Sequence, residues 1–464
     1  MPKESGSDAR KKAINRTKVR TLTKEQDEKR RRKQQLRMAH QEQRLADQQE
    51  RKQAKKARNP EKKSAGWDQK VKSFVASQRR KKKRKTQEEK EFQIVLGTKH
   101  KRLLWGLGIV SLLLVAVIVI NTLVPISITE YMENLFAGKG TGDGFPVAIS
   151  PSNTNYIVPV GSDIAFLGDS SLILYKSNGK VLFERQHGYS SPGIVSCSSR
   201  VMVFDRGGKQ LRIENRAKTV ITKETEGNIT TAAMADNGTF AVVTRGMNYI
   251  SEVTAYNAKG EQLFVWHSAG RQVWGVALSD NGRYMAVSTL TVENGQEVTG
   301  IVFFDLKKET PLWEETYQGS SFYSIDVKDD VVMALLSDRI SVITVDGVRV
   351  DEVFEGGSVT CFDNRNNFGL VVVLGMYQDS NNNRLLVLTP EMTKLCQLEL
   401  DQEIKGVSAK GNTLSLLASQ KVLFFTTEGE KKGEGKLETD GNYLVCKGNF
   451  AVVLGSDTMQ EVSY

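Results

Sequence analysis

The sequence predicts an all-β protein: a β-propeller, with eight blades favoured and seven as the alternative, after one transmembrane helix and a basic N-terminal tail, partly helical or disordered. Three observations predict it. A run of twenty-two residues near position 100 carries no charge. The balance of charge reverses across that run. Beyond it, short apolar strands and Gly/Asn/Asp turns recur with a period near 40, the length of a four-stranded blade.

The basic tail comes first, over residues 1–102. It holds 35 Lys and Arg against 13 Asp and Glu, whereas residues 103–464 hold 30 against 41, so the overall net charge of +11 describes neither part. Within 8–58 large apolar residues are almost limited to Leu22, Leu36, Met38 and Leu45. A helix there is polar all round with no face to bury, and no apolar seam supports a coiled coil. Trp67, Val71, Phe74 and Val75 fall on one helical face, followed by the basic run Arg79, Arg80, Lys81, Lys82, Lys83, Arg84 and Lys85. A basic amphipathic stretch beside a membrane anchor suits an anionic leaflet, each charge near the surface contributing about 1 kcal/mol. A protein or nucleic-acid partner and a plain topology signal are the other readings. The tail's aromatics are only Trp67, Phe74 and Phe92, which argues against base stacking and so against nucleic acid.

The second element is the uncharged run from Leu103 to Val124. As a helix it measures about 33 Å, enough for a hydrocarbon core of about 30 Å, and too long and too apolar for an ordinary core helix. A hundred polar residues precede it, which excludes a cleavable leader as its explanation. Lys99, Lys101 and Arg102 stand on its amino side, and only Lys139 stands on the other side before residue 150. The positive-inside rule therefore predicts a single-pass cell-membrane protein with its N-terminus cytoplasmic and residues 145–464 extracytoplasmic. Residues 125–144, ending in GKGTGDG, read as a flexible linker.

The repeats carry the propeller. Val276 to Ser288 matches Ala232 to Thr244, with Asn-Gly turns at 237–238 and 281–282, and weaker echoes begin at Lys410 and Lys447. A second hairpin recurs as Tyr175 to Phe183 and Tyr256 to Phe264. Units start near 152, 190, 228, 271, 319, 357, 404 and 441. The last has room for three strands only, and Phe145-Pro-Val-Ala-Ile149 is placed to supply the fourth, closing the ring and covering a bare edge. Pro146 suits an outermost strand, where a missing N–H is tolerated. A β-sandwich pair or a β-helix is the structural competitor.

These hairpins are similar to those of WD-repeat and quinoprotein-type propellers. The order of features, with Phe145-Pro146, Arg185-Gln-His-Gly-Tyr-Ser-Ser-Pro192 and Phe204-Asp-Arg-Gly-Gly-Lys-Gln-Leu-Arg212, resembles an uncharacterised bacterial family of single-pass membrane-anchored propellers, a domain of unknown function. The resemblance spans about residues 100–464 and implies a fold and a topology, with no activity. The Gly-His and Trp-Asp signature of WD repeats is absent, and no quinone pocket or calcium site can be assembled.

Chemistry-bearing residues are sparse. Arg185, His187, Asp205, Arg206, Lys209 and Arg212 form the most polar cluster, readable as a recognition patch for a partner or as a tight turn with internally satisfied side chains. His187 and His267 have no Cys or His at ligand spacing, which gives no zinc site, and no nucleophile elbow is present. Cys197, Cys361, Cys396 and Cys446 read as buried thiols in strands, Cys361 with Cys396 being the one pair that shares a blade. No catalytic residue, cofactor or metal is expected. The expected role is a non-enzymatic, membrane-anchored protein-binding or scaffolding module, the alternative being an envelope enzyme or glycan- or small-molecule-binding propeller with polar residues at the channel mouth.

Overall fold

The computed structural model of the protein describes residues 105, 107–112, 115, 128–150 and 156–464, apart from 247, 367 and 377–380. The tail 1–102 with its run Arg79 to Lys85, and both ends of the uncharged run, Leu103 and Val124, lie outside the described residues. Trp105, residues 107–112 and Val115 are helical. No helix among the described residues is long and apolar enough to cross a membrane.

The described residues between 145 and 464 form eight four-stranded antiparallel sheets, seven of them ordered from an inner to an outer strand along the chain. The inner strands are Tyr156–Val160, Pro192–Ser196, Asn228–Met234, Gln272–Leu278, Phe322–Lys328, Ser358–Asp363, Gly406–Lys410 and Tyr443–Cys446, and these define blades 1 to 8. They begin within four residues of the starts expected from the repeats. The eighth sheet takes its outer strand, Val147–Ala148, from the other end of the chain, paired antiparallel with Thr458–Ser463. Pro146 precedes that strand, so its missing donor costs no ladder bond.

The second and third strands of each blade carry the least polar sequence because neighbouring blades cover both of their faces. Asp163–Leu167 is buried at every position, and Thr413–Leu417 likewise. Outer strands such as Val181–Gln186 are exposed at alternate residues. Eight separate apolar clusters result, one per seam. Between blades 3 and 4, for example, Val243, Val253 and Ala255 meet Met285, Val287 and Phe304. At the closing seam Ile157, Ile164 and Phe166 of blade 1 meet Val452, Leu454 and Met459 of blade 8. Stability is thus shared among nearest-neighbour interfaces, as in other repeat proteins.

Turns decide the two faces of the disc. The near face holds the turns from first to second strand and from third to outer strand. The far face holds the second-to-third turns and the links between blades. The Asn-Gly turns at 237–238 and 281–282 are equivalent near-face turns, with Gly238 and Gly282 at φ +84° and +66°, a conformation that L side chains rarely adopt. A belt of hydrogen bonds joins neighbouring blades at this face. Ser196 Oγ donates to the Pro159 carbonyl (2.7 Å), Asn237 N to the Asp280 carbonyl (3.0 Å), and Ala409 N to Asp363 Oδ2 (2.7 Å).

Two features depart from expectation. The segment 125–144 contains a nine-residue helix, α1 (Ile128–Phe136). Ser127 and Glu130 stand at capping-box spacing, a signal available in the sequence but masked by the glycine-rich stretch that follows. The four cysteines are free thiols, in line with the reading of the sequence, but Cys197 lies just beyond its strand and Cys361 is only partly buried. Cys361 and Cys396 lie on the inner and outer strands of blade 6 with two strands between them, which is too far for a disulfide at a strand spacing of about 4.8 Å.

Candidate functional site at the two mouths of the central channel

The near face is where the chain enters the propeller. Arg200, in the first turn of blade 2, donates from Nε to Glu130 Oε1 (2.7 Å) and from Nη2 to Oε2 (2.5 Å) of α1. Its Nη1 donates to the Ala258 carbonyl of blade 3 (2.7 Å), and both charged side chains are buried, at 2% and 8% exposure. Arg216, in the blade 2 turn that leads to its outer strand, forms a bidentate pair with the buried Asp163 (2.6 and 3.0 Å) and donates to the Asn134 carbonyl near the end of α1 (3.3 Å). Such a donation fills an orphan acceptor of the helix terminus. Lys218 pairs with Glu133 at 2.7 Å. α1 is therefore clamped onto the near face at three points.

The near mouth of the channel opens beside it as a cavity of about 340 Å³, lined by inner-strand ends and the turns that follow in blades 1 to 7. Asp236, Asp280 and Asp326 stand on blades 3, 4 and 5, and Arg365 and Lys410 on blades 6 and 7. Burial, then the neighbouring Asp236, pushes the Asp280 carboxyl up. Burial likewise raises Asp326, opposed by Lys328.

Lys447 of blade 8 closes this belt, donating to the carbonyls of Ser162 (3.1 Å) and Asp163 (2.7 Å) in blade 1. Burial lowers its ammonium from the ordinary 10.5 to about 8, and the Asp163 charge offsets part of that fall. Between these two values the unfolded chain holds a proton that the folded chain has lost. The charge burial penalty is therefore in force below about pH 8 and is relieved as pH rises toward 10.5, by at most about 1.4 kcal/mol for each pH unit. Urea unfolding at pH 7.5 and 9.5 is expected to show a gain in stability at the higher pH that the Lys447→Met variant lacks. An equal pH response in both proteins would assign the gain to other groups.

The far mouth is built differently. In blades 3, 4, 5 and 6 the inner strand has a bulge at the same place, with register shifts at Ile229/Thr231, Val273/Gly275, Phe322/Ser324 and Val359/Cys361. The extra residues are Thr230, Trp274, Tyr323 and Thr360, and a bulge re-aims the side chain it carries. Trp274 is 57% exposed and Tyr323 46%. On the opposite side of the ring the inner strands of blades 1 and 8 start with exposed Tyr156 and Tyr443, their rings 5.4 Å apart. These residues were missed in the sequence, where strand apolarity hides a bulge; the extra length of the inner strands in blades 3 to 5 is its only trace.

The sequence-predicted recognition residues gather at the seam of blades 1 and 2, where many of their polar groups are already engaged. Arg185 and Arg212 both pair with the fully buried Glu214, Arg212 at 2.5 Å, and Arg185 also donates to the Ala217 carbonyl (3.0 Å). His187 Nε2 contacts the Gly168 carbonyl (3.1 Å) and Nδ1 accepts from Tyr189 N (3.1 Å), which places the proton on Nε2. Burial lowers its pKa, which favours the neutral ring. Asp205 Oδ1 accepts from Ser191 N (3.1 Å), and the Gly208 N–H donates to the Asp205 carbonyl (3.1 Å), closing a tight turn. Arg206 and Lys209 stay exposed on the far face.

The strand pairing defines an eight-bladed β-propeller closed by its own N-terminal strand, with a charged mouth at one end of its channel and aromatic side chains at the other. Residues 146–463 match the family of unknown function DUF5711, and the chain belongs to that family. No curated protein matches it. Among solved structures it is similar to BamB from Moraxella catarrhalis (10% identity over 69% of this chain and 98% of that one, TM-score 0.44). It is also similar to apo AztD from Citrobacter koseri (12% identity, 67% and 90%, TM-score 0.44). A third is Chaetomium thermophilum Sqt1 bound to the N-terminus of the ribosomal protein L10 (10% identity, 65% and 94%, TM-score 0.45).

Proposed function

We propose that the protein is a non-enzymatic, membrane-anchored propeller that presents its far face to a protein partner outside the cytoplasm. One observation carries this reading: α1, the first described element after the uncharged run, is clamped to the near face by the buried Glu130–Arg200 pair. A span over 103–124 would then lie on that side and turn the far face away from the membrane. The described part of the run supports an anchor, since Trp105, Ile109 and Leu112 are 76%, 53% and 73% exposed, a state that suits lipid better than water. The far face carries Trp274, Tyr323, Tyr156 and Tyr443, the residue types that most often anchor protein interfaces. In this reading the basic run Arg79 to Lys85 stays on the cytoplasmic side, where anionic lipid would hold it.

The test is crosslinking in intact cells with photoreactive side chains at Tyr323 on the far face and at Lys259 on the near face. A specific protein captured from Tyr323, and lost in the Trp274→Ala variant with unchanged melting temperature, is the expected outcome. Capture only from Lys259 would overturn the assignment of the far face.

A further inference from the structure

The near mouth of the channel has a charge pattern that its own residues do not complete. Around the cavity Asp326 pairs with Lys328 (2.7 Å), Arg365 with Asp363 (3.4 Å), and Asp236 accepts from Ser198 N (2.8 Å). The Lys447 ammonium is engaged by two carbonyls. Two charged groups remain with neither a hydrogen bond nor an ion pair among the described residues: the carboxylate of Asp280 and the ammonium of Lys410. They belong to blades 4 and 7, three blades apart round the ring, and both border the same cavity of about 340 Å³.

Each of these groups has like charge beside it. Burial and Asp236, then Asp326 and Asp329, raise the Asp280 pKa, and Lys328, which is already paired with Asp326, offsets part of that rise. Lys410 lies close enough to Lys447 to help lower it. One arc of the mouth is thus short of positive charge and the other short of negative charge. A metal cation would satisfy only the first arc, an inorganic anion only the second, and an apolar solute neither. The volume is at the lower end of small-molecule pockets and excludes a folded chain.

We propose that the near mouth binds a small zwitterion of dipeptide size, its ammonium against Asp280 and its carboxylate against Lys410. The site is independent of the far-face reading, since no residue of the bulged aromatic set borders it.

The purified full-length chain, titrated calorimetrically with glycylglycine and larger dipeptides, is expected to give saturable heat at millimolar concentration. Methylamine and acetate, the two half-ligands, are expected to give none. Asp280→Asn and Lys410→Gln should each weaken the dipeptide about tenfold, because each removes a charge-assisted contact. Neither side chain makes a hydrogen bond or ion pair among the described residues, so the melting temperature should not move, and a measurement of it separates lost binding from lost fold. Absence of saturable heat with every dipeptide would overturn the site. So would binding that both variants retain, or binding that only one of them weakens, since the latter assigns a ligand of single charge.

Discussion

Replacing residues 145–149 with a Gly-Ser stretch of equal length is expected to lower the melting temperature by more than any single substitution in the propeller, and to drive the protein into aggregates. This segment supplies the outer strand of blade 8, through Val147 opposite Met459 and Ala148 opposite Thr458. Ile149 adds a backbone bond from its N–H to the Asp457 carbonyl (2.7 Å) and a buried side chain in the closing seam. Phe145 and Val147 pack against the same cluster. Ile149→Ala alone should cost about 2–4 kcal/mol. Loss of all three apolar side chains should cost about 5 kcal/mol, a large part of the 5–15 kcal/mol that holds a typical domain. The Thr458–Ser463 strand would then present an unpaired edge, a template for association. Calorimetry and size-exclusion chromatography on the same samples read both effects. A variant that melts and elutes like the parent would mean that the ring closes without this strand.

Glu130→Ala is expected to release α1 from the propeller. Removing one member of a buried ion pair costs about 3–5 kcal/mol, because the partner charge stays behind without compensation. Here the Arg200 guanidinium would keep only the Ala258 carbonyl. The helix has an escape that a core residue lacks: it can lift away and let water reach Arg200. The remaining contacts, Lys218 with Glu133 and Arg216 with Asn134, are partly exposed and contribute less. Hydrogen exchange in residues 128–136 should therefore accelerate by at least about a hundredfold while the blades keep their protection. The swapped pair Glu130→Arg with Arg200→Glu should not restore docking, since a carboxylate at 200 would face the Ala258 carbonyl. Unchanged exchange in α1 after Glu130→Ala would show that the helix is held by other contacts.

The architecture was readable in the sequence because a blade is a local object. Its hairpins announce themselves by apolar alternation and by glycines that only a left-handed turn requires, so Asn237-Gly238 and Asn281-Gly282 located equivalent turns 44 residues apart. The closing strand was readable by arithmetic, from a unit short of one strand and a spare strand at the other end. The functional surfaces were not readable in this way. Asp280 and Lys410 are 130 residues apart and meet at one cavity only because the ring returns on itself. Trp274 and Tyr323 look like core aromatics until a bulge turns them outward. The polar cluster from Arg185 to Arg212 drew notice for its density, yet Arg185, His187, Asp205 and Arg212 are already bonded within the seam of blades 1 and 2.

By itself, then, the sequence determined the class of fold and the phase of the repeats, favoured eight blades over seven, and pointed to the strand that closes the ring. These follow from periodicity and turn chemistry, which act between residues close along the chain. Only the tertiary structure decided that residues 128–136 form a helix held to the near face by Arg200, and that the two channel mouths differ so sharply. Those facts depend on which side chains from distant repeats become neighbours, and that is fixed by closure of the whole ring.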